Sequence, residues 1–211
     1  MKKILFIFLV MFCVNVFSKE KIKWYVYEDS TSTINHGEWS NIMPKNCGST
    51  EIASIDLNNK TNPVSGSSAV KLKFVVPVDP GWCGLMVSSK SGFWGDRIDE
   101  LGNDFSNAPF YNLYGYSKLV YFAKGDNGGE NIQVKFSITG GHELGDSAPL
   151  PFDCGNIELT KNWKKYECPI AKEDKQYLNR VISPFVVIVS KNYNQGFKEV
   201  VFYLDNIYFE K

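Results

Sequence analysis

The chain has 211 residues, and its 23 Lys and Arg residues balance its 23 Asp and Glu residues, so its formal net charge is zero. Domains that bind nucleic acids or anionic membranes carry a clear excess of basic residues. The composition therefore disfavours both kinds of partner. Hydrophobic residues make up 44% of the chain, which is enough to form a packed core in one domain of this length.

The amino terminus has the pattern of a secretory signal peptide. Two basic residues, Lys2 and Lys3, precede a largely apolar run at residues 4–17, and Ser18 and polar residues follow. This order is typical of a segment that is cleaved during export. We expect residues 1–18 to be a signal peptide and residues 19–211 to form a single exported domain, in the periplasm, at the cell surface or outside the cell. No later run is apolar for long enough to predict a membrane span in the mature chain.

Short runs rich in Val, Ile, Phe and Tyr recur along the mature chain and are separated by turn residues, which predicts strands. Residues 70–74 and 132–138 alternate between apolar and polar, as in a strand with one buried face. Residues 185–189 are apolar throughout, which predicts a strand covered on both faces or near the middle of a sandwich. The predicted strands are residues 22–27, 51–57, 69–76, 85–88, 118–123, 132–138, 157–159, 166–170, 185–189 and 200–209.

The spacing of these strands predicts the fold class. Turn-forming sequences such as Asn62-Pro63 and residues 125–129 lie between the strands, and no convincing amphipathic helix is present. Regular alternation of strands and turns indicates an all-β sandwich or barrel rather than βαβ units. Residues 89–114 break the pattern because they are rich in Gly, Asn and aromatic residues and lack periodicity. Long loops of this kind often carry function.

Four cysteines remain outside the predicted signal peptide, namely Cys47, Cys83, Cys154 and Cys168. An even number in an exported protein favours disulfides over metal ligation, and four cysteines allow three pairings. The shortest loops would join Cys47 to Cys83 and Cys154 to Cys168. A hairpin turning at Lys161 would place Cys154 opposite Cys168, but its two apolar faces would match only with an odd register shift. The pairing therefore stays open at this point.

Several segments together resemble a family of exported bacterial jelly-roll domains of the galactose-binding-like type, which is related to calcium-containing carbohydrate-binding modules. The segments are residues 81–84 (GWCG), 93–95 (FWG), 118–125 with 128–130, 145–147 (GDS), 159–166 and 202–209. Their order spans almost the whole mature chain. The resemblance implies a two-sheet antiparallel β-sandwich whose closing strand, residues 200–209, lies near the first strand. It also implies that ligands bind at loop tips or on a concave sheet face.

Aromatic and polar side chains that suit a sugar are concentrated in and near the long loop. A sugar ring presents a patch of C–H bonds beneath its hydroxyl groups, so its binding sites combine aromatic rings with amide or carboxylate groups. In the alternative interpretation, the rings close the ends of the core, and Asp146 with Ser147 forms an Asx-type turn. The candidate carbohydrate- or partner-binding residues are Trp39, Trp82, Trp94, Asp96, Tyr111 and Asp146.

One acidic residue, Asp205, lies within the apolar closing strand, where a carboxylate needs hydrogen bonds or an ion to compensate its burial. In the calcium-containing relatives an acidic residue of this strand joins ligands near the first strand. The resemblance therefore implies a structural Ca²⁺ held by Glu28, Asp29 and Asp205, whose oxygen atoms suit a hard cation. The alternative is a hydrogen-bonded Asp205 with Glu28 or Asp29 in a surface turn.

The sequence has none of the common hydrolase signatures, such as GxSxG or HExxH, and we do not expect an enzyme. The leading hypothesis is non-catalytic binding of a polysaccharide or surface glycan. The rival is a structural protein of the cell envelope or of an exported filament or sheath layer, which binds protein partners through the same sandwich. Indoles of Trp82 and Trp94 along one groove would favour sugar binding, whereas a broad apolar patch would favour assembly.

Overall fold

A computed structural model describes residues 21–44, 47, 53–76, 78–79 and 81–211. The predicted signal peptide, residues 1–18, lies outside the described residues. Two antiparallel β-sheets account for most of the regular structure, and short 3₁₀ helices occur at Asp174–Leu178 and Lys191–Tyr193. The strands are β1 Lys23–Tyr27, β2 Glu38–Met43, β3 Ala53–Asn59, β4 Ala69–Phe74, β5 Trp82–Ser88, β6 Lys118–Gly125, β7 Asn131–Phe136, β8 Phe152–Glu158, β9 Lys164–Pro169, β10 Phe185–Ser190 and β11 Val200–Glu210.

The six-stranded sheet has the order β3-β4-β11-β6-β9, and β1 also pairs with β11. The long β11 accommodates both neighbours on one side, because residues 200–204 pair with β4 and residues 207–210 pair with β1. The five-stranded sheet has the order β2-β5-β10-β7-β8. This arrangement confirms the predicted jelly-roll β-sandwich, including the pairing of the closing strand with the first strand.

The two sheets share one hydrophobic core. Leu72 and Phe202 of the six-stranded sheet and Leu85 and Val187 of the five-stranded sheet are all fully buried in it. Each such side chain contributes about 1.5–3 kcal/mol of stabilisation through burial. The strand β10 lies between β5 and β7, and Val186 is buried on its other face. The prediction that residues 185–189 form a strand near the middle of the sandwich is confirmed.

The sequence pattern missed β2 and most of β8. A register shift between Glu38 and Asn41 interrupts the alternation of β2, so its pattern of buried and exposed residues is not that of a regular strand. The strand β8 contains Asp153 and Gly155, which have low strand propensity. Only its apolar end at Ile157 fell within a predicted strand. Cross-strand pairing overrides the local propensity at both places.

The structure contains the Cys47–Cys83 and Cys154–Cys168 disulfides, with Cα–Cα distances of 5.9 and 5.3 Å. The shortest-loop pairing is confirmed. The predicted hairpin is wrong, however, because β8 pairs with β7 and β9 pairs with β6 in the other sheet. The Cys154–Cys168 disulfide therefore links the two sheets at one edge of the sandwich, where no hairpin register constrains it.

None of the helices within the described residues has the length and apolar character needed to cross a membrane.

Candidate functional site

The long connections of the five-stranded sheet gather at one of its ends. Val87 at the end of β5 pairs with Phe185 at the start of β10, and Phe136 at the end of β7 pairs with Phe152 at the start of β8. Antiparallel pairing therefore brings together the segments at residues 89–117, 137–151 and 178–184, which join these strands.

A buried carboxylate, Asp146, ties these loops together. Its Oδ1 accepts hydrogen bonds from the amides of Ile182 and Ser183 at 2.7 and 3.2 Å. Its Oδ2 accepts bonds from the amide and hydroxyl of Thr139 at 2.9 and 2.6 Å and from the Ser183 hydroxyl at 2.6 Å. Both oxygens are thus used within the protein, and Asp146 is only 4% exposed. It positions the loops and does not face a ligand.

The segment after β5 folds back over the outer face of β2 and β5. Asn41 holds it there, because its Oδ1 accepts the Gly92 amide at 2.8 Å while its Nδ2 donates to the Ser88 hydroxyl at 2.6 Å. Met86 alternates with core residues and therefore points away from the core, yet it is fully buried under this part of the molecule.

A small second core makes this loop compact. Phe93 and Phe105 stack with their ring centroids 5.1 Å apart, and Ile182 packs against them. The next residue after Phe93 is Trp94, whose side chain is not part of this cluster and is 36% exposed. The inward anchoring of Phe93 therefore leaves the neighbouring indole at the surface.

The indole of Trp94 lies between two clefts. The first, which we call the acidic cleft, has a volume of about 410 Å³ and is lined by Gly92, Trp94, Asp96, Ile98, Asp99, Glu100 and Leu101. The second, which we call the strand cleft, has a volume of about 390 Å³ and is lined by Ser40, Asn41, Ile42, Met43, Pro44 and Trp94. One aromatic ring thus borders two clefts whose volumes lie in the range of about 300–1,000 Å³ that is usual for small-molecule sites.

A short arm at residues 97–105 forms the outer wall of the acidic cleft. The Asp99 amide donates to the Asn103 carbonyl at 3.1 Å, and the Phe105 amide donates to the Arg97 carbonyl at 2.7 Å, as in a hairpin. The Asp99 carboxylate closes the turn by accepting the side-chain amide and the backbone amide of Asn103, both at 2.8 Å. These hydrogen bonds lower the pKa of Asp99, so this carboxylate remains charged at neutral pH.

The loop after β7 contacts Asp96, which lines the acidic cleft. Asp96 Oδ1 lies 3.0 Å from His142 Nδ1, and the Asp96 side chain is 54% exposed. The Leu144 amide donates to the Gly95 carbonyl at 2.7 Å. Asp146 lies two residues after Leu144, so its buried hydrogen bonds also hold this loop beside Asp96.

The half-buried Trp82 lies on the same outer face as Trp94. It starts β5 and alternates with Cys83, which points into the core. Gly84, two residues further, pairs with Met43, which lines the strand cleft. The two predicted tryptophans therefore border one face of the five-stranded sheet, with Trp82 at the start of β5 and Trp94 in the loop that follows this strand.

Polar side chains extend across this face on β7 and β8. Gln133 Nε2 donates to Asp153 Oδ2 at 2.8 Å, and Lys135 Nζ lies 3.3 Å from the same oxygen. Asn41, Gln133 and Asp153 were not among the predicted site residues. The alternating pattern of residues 132–138 placed Gln133 and Lys135 on the polar face of a predicted strand. Asn41 and Asp153 lie on strands that the sequence pattern did not predict.

The rings of Trp39 and Tyr111 instead pack against the main core. Trp39 packs against Tyr27 and Phe185, with ring centroids 5.9 and 6.2 Å apart. Tyr111 packs against Trp24 at 4.7 Å, and its backbone pairs with Val181. The structure therefore places these two residues as the alternative interpretation expected, closing the end of the core.

The carboxylates of Asp29 and Asp205 lie beneath the loop between β3 and β4. Asp29 accepts the amides of Ser67 and Ser68, the latter at 3.1 Å, and its pKa is lowered mainly by the bond from Ser67. Asp205 Oδ2 accepts the amides of Val64 and Ser65 at 2.7 and 3.4 Å. Burial removes Asp205 from water and, with the nearby charge of Asp29, raises its pKa to about 6.

These donors do not fit the predicted calcium ion. The groups that face the Asp29 and Asp205 oxygens are N–H and O–H donors, which present their positive ends, whereas Ca²⁺ requires six to eight oxygen ligands. Glu28 accepts the Ser32 hydroxyl at 2.6 Å. In the ranges that the structure describes, no group of three or more His, Cys, Asp or Glu side chains is arranged to hold a metal ion.

Solved structures with a similar fold include carbohydrate-binding modules. A family 30 carbohydrate-binding module aligns over 89% of this chain and 87% of its own, with a TM-score of 0.50 and 14% identity. A family 30 module from a cellulosomal cellulase of Clostridium thermocellum has a TM-score of 0.47 and 14% identity over 89% of this chain and 96% of its own. A mutant family 29 module has a TM-score of 0.46 and 7% identity over 90% and 93%.

At this level of identity the first of these likenesses shows the fold, a jelly-roll sandwich of the class that carbohydrate-binding modules use. No sequence-family model matches the chain, and no curated protein matches it either.

Proposed function

We propose that this protein binds a polysaccharide or surface glycan, without chemical change to it, in the clefts beside Trp94 and on the adjoining outer face of the five-stranded sheet. The observation that carries this proposal is the partly exposed indole of Trp94 between two clefts. An indole held at the surface by its backbone neighbours offers a stacking face for the C–H bonds of a sugar ring.

Polar groups suitable for sugar hydroxyls surround this indole. Asp96 on one side and Ser40 on the other line the two clefts. Further along the face, Gln133 and Asp153 are connected by a hydrogen bond and leave donor and acceptor positions for a longer chain. A glycan of several units would thus extend from the Trp94 clefts past Trp82 toward β7 and β8.

Two further features support a non-catalytic, exported protein. Glycoside hydrolysis uses two carboxyl groups that flank the scissile bond, but Asp99 is engaged in its turn and Asp96 contacts His142. The two disulfides suit the oxidising environment outside the cytoplasm. We therefore propose that the chain functions in the periplasm, at the cell surface or outside the cell.

The test is a glycan-array screen of residues 19–211, followed by titration calorimetry on each hit with wild type and Trp94→Ala. Loss of one stacking ring is expected to weaken binding by about tenfold, which corresponds to about 1.4 kcal/mol. Trp163→Ala is the matched control because Trp163 packs against Tyr203 of the six-stranded sheet. A folded protein that binds no glycan, or a Trp94→Ala variant that binds as wild type does, would contradict the proposal.

The rival function, assembly with envelope or filament proteins, is favoured by one observation. At the tip of the arm, Ile98 and Leu101 are 55% and 87% exposed. Apolar side chains at such a tip are typical of protein contacts. Leu101→Asp should abolish partner capture or self-association if this function holds, and it should leave both as in the wild type if it does not.

A further inference from the structure

The residue that follows Trp94 lies where two loops meet. Gly95, in the loop after β5, has a φ of +101°, and a Cβ atom added to it would lie 2.8 Å from His142 Cβ and 2.9 Å from Gly145 Cα. Non-bonded carbon atoms pack at about 3.5–4.0 Å, so any side chain here would separate the loops after β5 and β7. Glycine alone allows both the positive φ and this close approach.

The loop that Gly95 meets is itself firmly held. The Leu144 amide donates to the Gly95 carbonyl at 2.7 Å and joins the two loops. A Cβ atom added to Gly145 would overlap the carbonyl oxygen of Thr139, and the amide and hydroxyl of Thr139 donate to the buried Asp146 at 2.9 and 2.6 Å. The junction therefore continues from the surface of the loops to the buried hydrogen bonds of Asp146.

Trp94 thus lies between two anchored neighbours. On its amino-terminal side, Phe93 is only 2% exposed and stacks on Phe105. On its carboxyl-terminal side, Gly95 is fixed by the junction of the two loops. Because the backbone on both sides of a residue sets the direction of its Cα–Cβ bond, these two anchors determine where the indole leaves the loop.

We infer that Gly95 is a positioning residue for the site beside Trp94. By letting the loop after β7 approach, it holds the indole at the border of the two clefts, and it acts through this ring rather than through contact with a ligand. Its effect on glycan affinity rests on the proposed function. Its effect on the order of the indole is independent of any ligand.

The decisive variant is Gly95→Ala, and the matched control is Gly141→Ala. Gly141 has a φ of +92° in the loop after β7, but a Cβ atom added to it would meet no atom within 4 Å. Both substitutions strain the backbone in the same way, whereas only the first should separate the two loops.

The first measurement is ¹⁵N relaxation of the Trp94 indole N–H, whose resonance is assigned by its loss in Trp94→Phe. We expect an order parameter of about 0.8 in the wild type and in Gly141→Ala, and a value below about 0.6 in Gly95→Ala. A change in global stability alone would not mobilise one indole in the folded protein.

The second measurement is titration calorimetry with the oligosaccharide that binds most tightly on the glycan array. Gly95→Ala should weaken binding by about tenfold, as is expected for Trp94→Ala. The double variant Trp94→Ala/Gly95→Ala should bind no more weakly than Trp94→Ala alone, because the two residues act through the same ring. Additive losses in the double variant would contradict a role through Trp94.

The outcomes separate this inference from the proposed function. If the Trp94 indole keeps its wild-type order in Gly95→Ala, or loses it equally in Gly141→Ala, the positioning role is wrong and glycan binding is unaffected. If the indole is mobilised as expected but the folded wild type binds nothing on the array, the proposed function fails while the positioning of the indole stands.

A variant-free measurement applies if Gly95→Ala does not fold. The wild type should show a nuclear Overhauser effect between the α protons of Gly95 and Gly145, since the two backbones are in contact. Its absence, or a mobile Trp94 indole in the wild type, would overturn the inference.

Discussion

Loops cross the outer face of both sheets, and buried carboxylates anchor loops in both places, but over the five-stranded sheet an exposed carboxylate also borders a cleft. Over the six-stranded sheet, the loop between β3 and β4 donates its amides to the buried Asp29 and Asp205, and Trp163 donates its indole N–H to the Asn62 carbonyl at 2.6 Å. Over the five-stranded sheet, one buried carboxylate, Asp146, performs the anchoring, and Asp96 remains exposed at a cleft.

The difference shows how to separate structural from ligand-binding acids. A buried carboxylate whose oxygens accept several backbone amides is already satisfied by the protein. An exposed carboxylate beside an exposed indole retains capacity for a ligand. Composition alone does not distinguish the two kinds of acid, because both loops are rich in small polar residues.

The largest expected effect comes from Asp146→Ala. Five donors would lose their shared acceptor inside the protein, so the free energy of unfolding should fall by about 3 kcal/mol or more. Urea denaturation monitored by tryptophan fluorescence measures the change. Asp153→Ala, at an exposed position of β8, should lower it by about 0.5 kcal/mol or less. Equal losses for the two variants would show that burial is not what separates these acids.

The next effect is a pH dependence from Asp205. Its pKa of about 6 in the folded protein exceeds the usual 3.8, so between these values the unfolded chain has lost a proton that the folded chain retains. Stability should therefore fall by about 2 kcal/mol as pH rises from 4 to 6. Asp29 has a lowered pKa and acts in the opposite sense, since its contribution is lost as pH falls below about 4.

The measurement for Asp205 is a series of urea denaturations from pH 3.5 to 7.5. Asp205→Asn carries no titrating group and should have a flatter profile between pH 4 and 6 than the wild type. Asp126→Asn is the control, because Asp126 accepts the hydroxyl of Tyr203 on the same sheet but lies in an exposed turn. Parallel profiles for wild type and Asp205→Asn would exclude Asp205 as the source.

A smaller contrast is expected between the two loop tryptophans. Trp163→Ala removes a hydrogen bond to the loop over the six-stranded sheet and a packing contact with Tyr203, so it should cost about 1–2 kcal/mol of stability. Trp94→Ala should cost less than about 1 kcal/mol, since much of its ring faces solvent. Thermal and urea unfolding of both variants test this order, and a larger loss for Trp94→Ala would assign that ring to the core.

The smallest expected effect is that of calcium. Because amide and hydroxyl donors already satisfy Asp29 and Asp205, addition of millimolar Ca²⁺ or of a chelator should shift the melting temperature by about 1 °C or less. Differential scanning calorimetry of the folded protein in both conditions provides the measurement. A shift of several degrees that Asp205→Asn abolishes would restore the calcium site that the sequence resemblance implied.

Part of the candidate site was predictable from the sequence. The aperiodic stretch after β5 indicated a functional loop, and the chemistry of sugar recognition selected Trp94 and Asp96, which the structure places together at one cleft. The same reasoning also selected Trp39 and Tyr111, which pack against the core. Nothing local distinguishes an indole that faces solvent from one that packs against Phe185, because that choice depends on strands distant in sequence.

The sequence by itself determined the fold class and the disulfide candidates. The alternating pattern of apolar residues, the turn residues and the spacing of the cysteines are local features, and they predict strands, turns and short disulfide loops without knowledge of the tertiary structure. Only the tertiary structure decided which sheet each strand joins, and it did so through long-range hydrogen bonds that no local pattern encodes. The assignment of β8 and β9 to different sheets turned a predicted hairpin into an intersheet disulfide. Backbone amides from segments distant in sequence likewise donate hydrogen bonds to Asp146, Asp29 and Asp205, so these buried carboxylates have a structural role. Asp96 remains exposed beside Trp94.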